Sequence, residues 1–214
     1  MNSILLRGTV SEPPGYSHES HGQRYDQLTL STTRLSGTED RLRVLLPEAL
    51  LQLYCPERGD AVTMEGTLRS FNNKSGQGSR LVLSALAKSL SPMEPGEFAE
   101  NRVELTGTLC KPPIYRRTPL GREICDLMLA VPRTYGRADY LPIIAWGICA
   151  RACAELSVGD AVSVEGRFQS RKYVKQTDDG SVEKTAYEVS ATHVEPVTEE
   201  EEFREELPEE EVFV

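Results

Sequence analysis

One stretch of this chain is written twice. Asn2, Leu6, Gly8, Thr9, Pro13, Pro14, Gly22 and Arg34 recur 99 residues later as Asn101, Leu105, Gly107, Thr108, Pro112, Pro113, Gly121 and Arg133. Further on, Gly59-Asp60-Ala61-Val62-Thr63-Met64-Glu65-Gly66 recurs at an offset of 100 as Gly159-Asp160-Ala161-Val162-Ser163-Val164-Glu165-Gly166, six of the eight residues being identical. A single-residue length change between the blocks accounts for the shift. A period near 100 means two domains, not a solenoid. The spacing predicts units over residues 1–91 and 101–197. Between them, 92–100 reads as a linker because Pro92, Pro95 and Gly96 break any regular element. Residues 198–214 form a tail.

Each unit reads as mostly strand. In the second, Arg102–Leu109 alternates apolar and polar until Pro112-Pro113 ends it. Ile124–Val131 and Tyr140–Trp146 are two further runs. After Gly147 the period changes, with Ile148, Ala152 and Leu156 at i, i+4 and i+8, which predicts one short amphipathic helix. Ala161–Phe168 alternates again around Gly166, whose missing side chain suits a bend or bulge. Thr185–Val194 closes the unit. The first unit copies the order with Ile4–Val10, Gln27–Thr33, Arg41–Leu46, a helix over Glu48–Tyr54, Val62–Arg69 and Arg80–Leu90. The order β-β-β-α-β-β is that of an OB-fold, a five-stranded Greek-key barrel. The expected fold class is therefore all-β, two tandem OB-folds followed by an acidic tail.

The net charge of −9 is at first sight wrong for a partner carrying phosphates. It is a property of the tail. Thr198–Val214 carries nine Glu and one Arg, which leaves residues 1–197 at −1. The folded part has room for a basic groove. No apolar run approaches the ~20 residues that cross a bilayer, and Met1–Arg7 lacks the pattern of a signal peptide, so a cytoplasmic location is expected. Cys55, Cys110, Cys125, Cys149 and Cys153 form no framework and read as reduced thiols. Cys149 and Cys153 share a helix face, but His18, His21 and His193 are not placed to complete a metal site, so none is expected. His18-Glu19-Ser20-His21 reads as a solvent-facing polar loop. No phosphate loop, nucleophile elbow or paired-carboxylate arrangement appears, which excludes an enzyme and a cofactor.

Chemistry gathers instead around Leu141-Pro142-Ile143-Ile144-Ala145-Trp146, which ends in the only Trp of the chain. Tyr135 and Tyr140 precede it, and Arg171-Lys172-Tyr173-Val174-Lys175 follows downstream. Flat side chains beside Arg and Lys are what a sequence-tolerant single-stranded nucleic-acid site requires, because every base has a face to stack and every nucleotide a phosphate to neutralise. The plain alternative for Trp146 and Tyr140 is barrel core. Tyr173, flanked by Lys172 and Lys175, reads as part of a polar loop. Cations available for phosphates are Arg116, Arg117, Arg122, Arg133, Arg137, Arg171, Lys172, Lys175 and Lys184.

Asn101-x-Val103-x-Leu105-x-Gly107, Arg116-x-Thr118-x-x-Gly121 and Leu129-Ala130-Val131-x-Arg133 resemble the bacterial single-stranded DNA-binding protein family. So do Asp139–Trp146, Gly159-Asp160-x-Val162-x-Val164-x-Gly166-Arg167-x-Gln169-x-Arg171 and Tyr187-Glu188-Val189. The resemblance covers nearly all of 101–196. It implies base stacking at the positions of Tyr135, Tyr140, Trp146 and Tyr173. It also implies a function in DNA replication, recombination and repair, and a homodimer bringing four barrels together. The family's acidic tail ends in an apolar tip that docks on replication and repair proteins. Glu209, Glu210, Glu211, Val212, Phe213 and Val214 resemble that tip, although Val214 follows the Phe and no Pro directly precedes it. The tail is otherwise too charged to pack and is predicted to be disordered.

The first unit keeps the frame and loses the rings. Opposite Tyr135, Tyr140, Trp146 and Tyr173 stand Leu35, Arg41, Pro47 and Asn73, and only Phe71 remains near the exit of strand four. It either binds DNA weakly through Arg41, Arg43 and Arg69 or serves as an assembly and spacer domain. Two further readings stay open: a primosome-like OB-fold loader module with little DNA affinity of its own, and single-stranded RNA binding by the same barrel.

Overall fold

The computed structural model describes residues 1–73, 80–177 and 180–197; for residue 135 and for 175–177 and 180 it describes the backbone only. The tail residues Glu209–Val214 and the side chains of Tyr135 and Lys175 thus lie outside the described residues.

Five strands and one helix make the first barrel: β1 (Asn2–Ser20), β2 (Gln23–Thr33), β3 (Glu39–Pro47), α1 (Glu48–Leu53), β4 (Ala61–Asn72) and β5 (Leu81–Pro92). The second repeats them with the first strand split in two, as β6 (Glu100–Leu109) and β7 (Ile114–Arg117), then β8 (Glu123–Pro132), β9 (Ala138–Trp146), α2 (Gly147–Cys153), β10 (Ala161–Thr177) and β11 (Gly180–Pro196). A single 3-10 turn, Thr134–Gly136, separates β8 from β9. In the first barrel β1 pairs with both β2 and β4, β2 with β3, β4 with β5, and a short parallel contact between Val44 and Ala85 closes the ring. The second closes in the same way, with Val189 beside Ile143. Closure satisfies edges that would otherwise pair with other chains. The architecture is two tandem OB-folds.

The alternation in the sequence becomes the two cores. Leu6, Leu30, Val44, Met64 and Leu68 are fully buried in one barrel, and Leu105, Leu129, Leu141, Val164 and Phe168 in the other. Each such side chain contributes about 1.5–3 kcal/mol. The strand register shifts at Glu165/Gly166, as the glycine there suggested, and the first barrel repeats the shift at Glu65/Gly66. A Cβ there would meet the carbonyl oxygen of Leu86 or of Ser190. The repeated asparagines also acquire a purpose. Asn2 Nδ2 donates to the Leu68 carbonyl at 2.9 Å while its Oδ1 accepts from the Leu68 N–H at 2.9 Å. Asn101 does the same to Phe168, at 2.6 and 2.9 Å.

Three local expectations change. Residue 173 lies within β10 opposite Lys184, not in a loop, because the β10–β11 ribbon runs well past the barrel. Residues 18–20 belong to β1, which continues through Pro13-Pro14 with register shifts and pairs with β2 up to Ser20. Helix α2 stops at Cys153 and buries Ala150 and Cys153, leaving Ile148 78% exposed, so the apolar stripe is rotated from the predicted one.

The two barrels join through strand pairing that local sequence did not disclose. β1 runs antiparallel to β6, with Asn2 opposite Leu105, Ile4 opposite Val103 and Leu6 opposite Asn101. Ile4 and Val103 are equivalent positions of the repeat, so a pseudo-twofold axis passes between them. It is the self-complementary arrangement of a symmetric dimer, built inside one chain. Two charged clamps flank it. Arg34 grips Asp40 at 2.6 Å, Asp40 Oδ1 accepts from the Ser170 N–H at 2.8 Å, and Arg34 donates to the Ser170 carbonyl at 2.8 Å. Arg133 grips Asp139 through two hydrogen bonds, Asp139 Oδ1 accepts from the Ser70 N–H at 2.6 Å, and Arg133 donates to the Ser70 carbonyl at 3.3 Å. The second clamp has an extra member, Arg69, whose Nη1 lies 3.0 Å from Asp139.

Candidate nucleic-acid interface

The outer face of β9 presents two rings. Asp139, Leu141, Ile143 and Ala145 point inward and are buried, so Tyr140 and Trp146 fall on the opposite face, 48% and 38% exposed. Six residue steps along the strand separate them by roughly 20 Å. Trp146 ends the strand immediately before Gly147, whose φ of +57° turns the chain into α2. Its indole N–H donates to Ser190 Oγ at 3.2 Å, which fixes the ring plane while leaving a face uncovered.

Trp146 opens on a groove of about 850 Å³ walled by both barrels. From the second barrel come Arg171, Lys172, Tyr187 and Glu188; from the first come Arg34, Arg41 and Arg43. Arg43 extends its guanidinium over Tyr187, 5.2 Å from the ring centre, and Tyr187 leans on buried Phe168 at 5.8 Å. A cation over an aromatic face contributes about 0.5–1 kcal/mol when exposed, and the pair joins the barrels at the groove floor. Five cations line the groove against Glu12, Glu39 and Glu188. The Thr29 hydroxyl, more than any other group, holds the Glu12 carboxyl below its ordinary value; burial opposes it, and Arg41 adds to the lowering. Gln169 donates to Glu188 at 2.9 Å, and its own carbonyl oxygen is a buried acceptor with no donor among the described residues.

The predicted residues divide. Trp146, Arg171 and Lys172 meet in this groove. Arg171 also lies 5.8 Å over the Tyr173 ring and 3.5 Å from Glu188. Lys172 pairs with Glu183 at 3.0 Å, with both groups well exposed, so the pairing is weak and exchangeable. Tyr140 lies at the other end of β9, where its backbone N–H donates to Ser70 Oγ at 2.8 Å. Arg116 is held by Asp126 at 2.7 and 3.3 Å on the β7–β8 ribbon, and Arg122 is exposed in the turn after β7. Arg133 is engaged by Asp139. Burial raises the Asp139 carboxyl, but the Arg133 hydrogen bonds, the Ser70 N–H and Arg69 outweigh it and hold the group below its ordinary value. Sequence reasoning passed over Tyr187, although it sits in a quoted motif. It also considered Arg41 and Arg43 only as features of the first barrel.

Two paired closed barrels, with aromatic side chains on strand three of the second and a cationic groove between them, make up this tandem OB-fold. Residues 100–197 match the single-strand binding protein family. Single-stranded DNA-binding protein A of Bacillus subtilis is 37% identical over 83 residues, 36% of this chain and 48% of that protein. The Neisseria meningitidis single-stranded DNA-binding protein is 33% identical over 103 residues, 44% of this chain and 58% of that one. The chain spans about half the length of the curated relatives it matches. In three dimensions the likeness extends over both barrels. The wild-type single-stranded DNA binding protein from Thermus aquaticus superposes with a TM-score of 0.75 at 26% identity, over 92% of this chain and 93% of that one. A deletion mutant of it covers 99% of this chain and 98% of its own, with the same TM-score and identity.

Proposed function

We propose that the chain binds single-stranded DNA without sequence preference and supports replication, recombination and repair by holding exposed strands. The observation that carries this reading is Trp146, 38% exposed at the mouth of a groove lined by Arg41, Arg43, Arg171 and Lys172. Bases stack on Trp146, Tyr140, Tyr135 and Tyr173, each contributing ~1–3 kcal/mol, while the cations exchange their internal partners for phosphates. The division into units at 1–91 and 101–197 belongs to this proposal, as do a homodimer of four barrels and recruitment of replication and repair proteins by Glu209–Val214. So does action in the cytoplasm, on the nucleoid. Among the described residues no helix is long and apolar enough to cross a membrane.

Titration with oligo-dT at two salt concentrations tests the reading. Trp146 fluorescence falls on binding, and the affinity drops with salt at a slope of about −0.7 per phosphate neutralised. Trp146→Ala and Tyr140→Ala each weaken binding severalfold. Unchanged affinity in both variants, or equal affinity for duplex, sinks the proposal. Tighter binding of poly-U than of poly-dT would assign the groove to RNA instead.

A further inference from the structure

The pseudo-twofold axis carries the groove beside Trp146 onto a second groove of about 510 Å³ on the other side of the joined barrels. That volume falls within the roughly 300–1,000 Å³ typical of small-molecule sites. Arg34, Thr38, Gln169 and Arg171 of the first groove become Arg133, Arg137, Arg69 and Phe71 of the second. The position equivalent to Trp146 is Pro47, which has no aromatic ring, and sequence comparison therefore counted this platform as lost. The strand register supplies a replacement. Tyr25 of β2 is the residue paired directly across from Pro47. Cross-strand neighbours on one face are about 4.5–5.5 Å apart at Cβ, so a ring on the partner strand covers the same ground.

Tyr25 is also braced. The β1–β2 hairpin turns through His21 and Gly22, both with positive φ, 52° and 73°, the geometry that keeps a two-residue hairpin in register. That register sets His18 opposite Tyr25, and the two rings stack with centres 5.1 Å apart and planes 11° apart. The stacked pair lines the groove together with Phe71, which is 39% exposed at the end of β4. Among the described residues three arginines line it and no carboxylate does. Arg69 and Arg133 share the one buried carboxylate of Asp139, which leaves them a net positive charge, and Arg137 is exposed and forms no ion pair among the described residues.

We propose that this groove is a second stacking site for the same unpaired strand, in which Tyr25, braced by His18, and Phe71 receive bases and Arg137 receives phosphate. The inference rests on the single-strand reading of the Trp146 groove and extends it to the first barrel. The test uses the full chain, oligo-dT of graded length and three variants: Phe71→Ala, Arg137→Ala and Tyr25→Ala. Phe71 and Arg137 are exposed, so their removal leaves the fold intact. Short oligo-dT bound by one groove keeps its affinity in Phe71→Ala and loses it in Trp146→Ala. Oligo-dT long enough to occupy both loses about five- to tenfold in each of the three groove variants, the lower part of the range for one stacked base. Length-independent, wild-type affinity in Phe71→Ala and Arg137→Ala together with a loss in Trp146→Ala overturns this inference alone. Wild-type affinity in Trp146→Ala at every length overturns the reading beneath it.

Discussion

Removing the carboxylate of Asp139 is the sharpest probe of how the barrels are held. The group is completely buried and accepts hydrogen bonds from Arg133, from Arg69 at 3.0 Å and from the Ser70 N–H at 2.6 Å. Deleting one partner of a buried ion pair costs about 3–5 kcal/mol, because the remaining charge loses compensation. Here two arginines are stranded, but their side chains keep 21% and 24% exposure and recover some hydration. The expected loss for Asp139→Ala is therefore near the lower limit, about 3 kcal/mol. Asp40→Ala is the internal control. It strands a single arginine, Arg34, and should cost about 1.5 kcal/mol less, the lower end of the roughly 1.5–3 kcal/mol that one charge-assisted hydrogen bond contributes. Urea unfolding followed by far-UV circular dichroism and by Trp146 fluorescence measures both. A loss below about 1 kcal/mol for Asp139→Ala, or a larger loss for Asp40→Ala, would refute the argument that the second clamp carries more of the junction.

The same carboxylate makes the protein acid-sensitive. Its folded pKa lies below the ordinary 3.8, so its stabilisation is complete above that value and is lost as pH falls through the folded pKa. Stability should drop below about pH 4, and Asp139→Asn should flatten that part of a urea-midpoint profile. Gly166→Ala places a Cβ against the Ser190 carbonyl, and should cost about 1–3 kcal/mol, read in the same unfolding experiment. Burial pushes the Cys153 thiol up to about 12, and Cys125 is raised by burial as well, whereas Cys55 is exposed. A thiol reagent at neutral pH should modify Cys55 quickly and the other two only in denaturant.

Much of this fold was legible before any coordinates. Two copies of one unit followed from the displaced repeat, strands from period-two alternation, and the bulge of the second unit from Gly166. These features are local or periodic, and short-range stereochemistry suffices to predict them. Tyr140 and Trp146 stood out as candidate stacking rings with barrel core as the alternative, and the fold decided between the two by leaving both exposed.

What local spacing did not contain was every contact made across the joint. Arg133 looks like a free cation in sequence, and only the pairing of β1 with β6 brings Ser70 to the clamp it forms with Asp139. Arg43 reaches Tyr187 for the same reason. Tyr25 stands in for the ring missing at Pro47 only because β2 and β3 align in that register. The chain's own order thus determined two barrels and which strand faces are apolar. The tertiary structure decided which faces meet, because pairing between residues about a hundred positions apart depends on the closed shape of both barrels and leaves no period in the sequence.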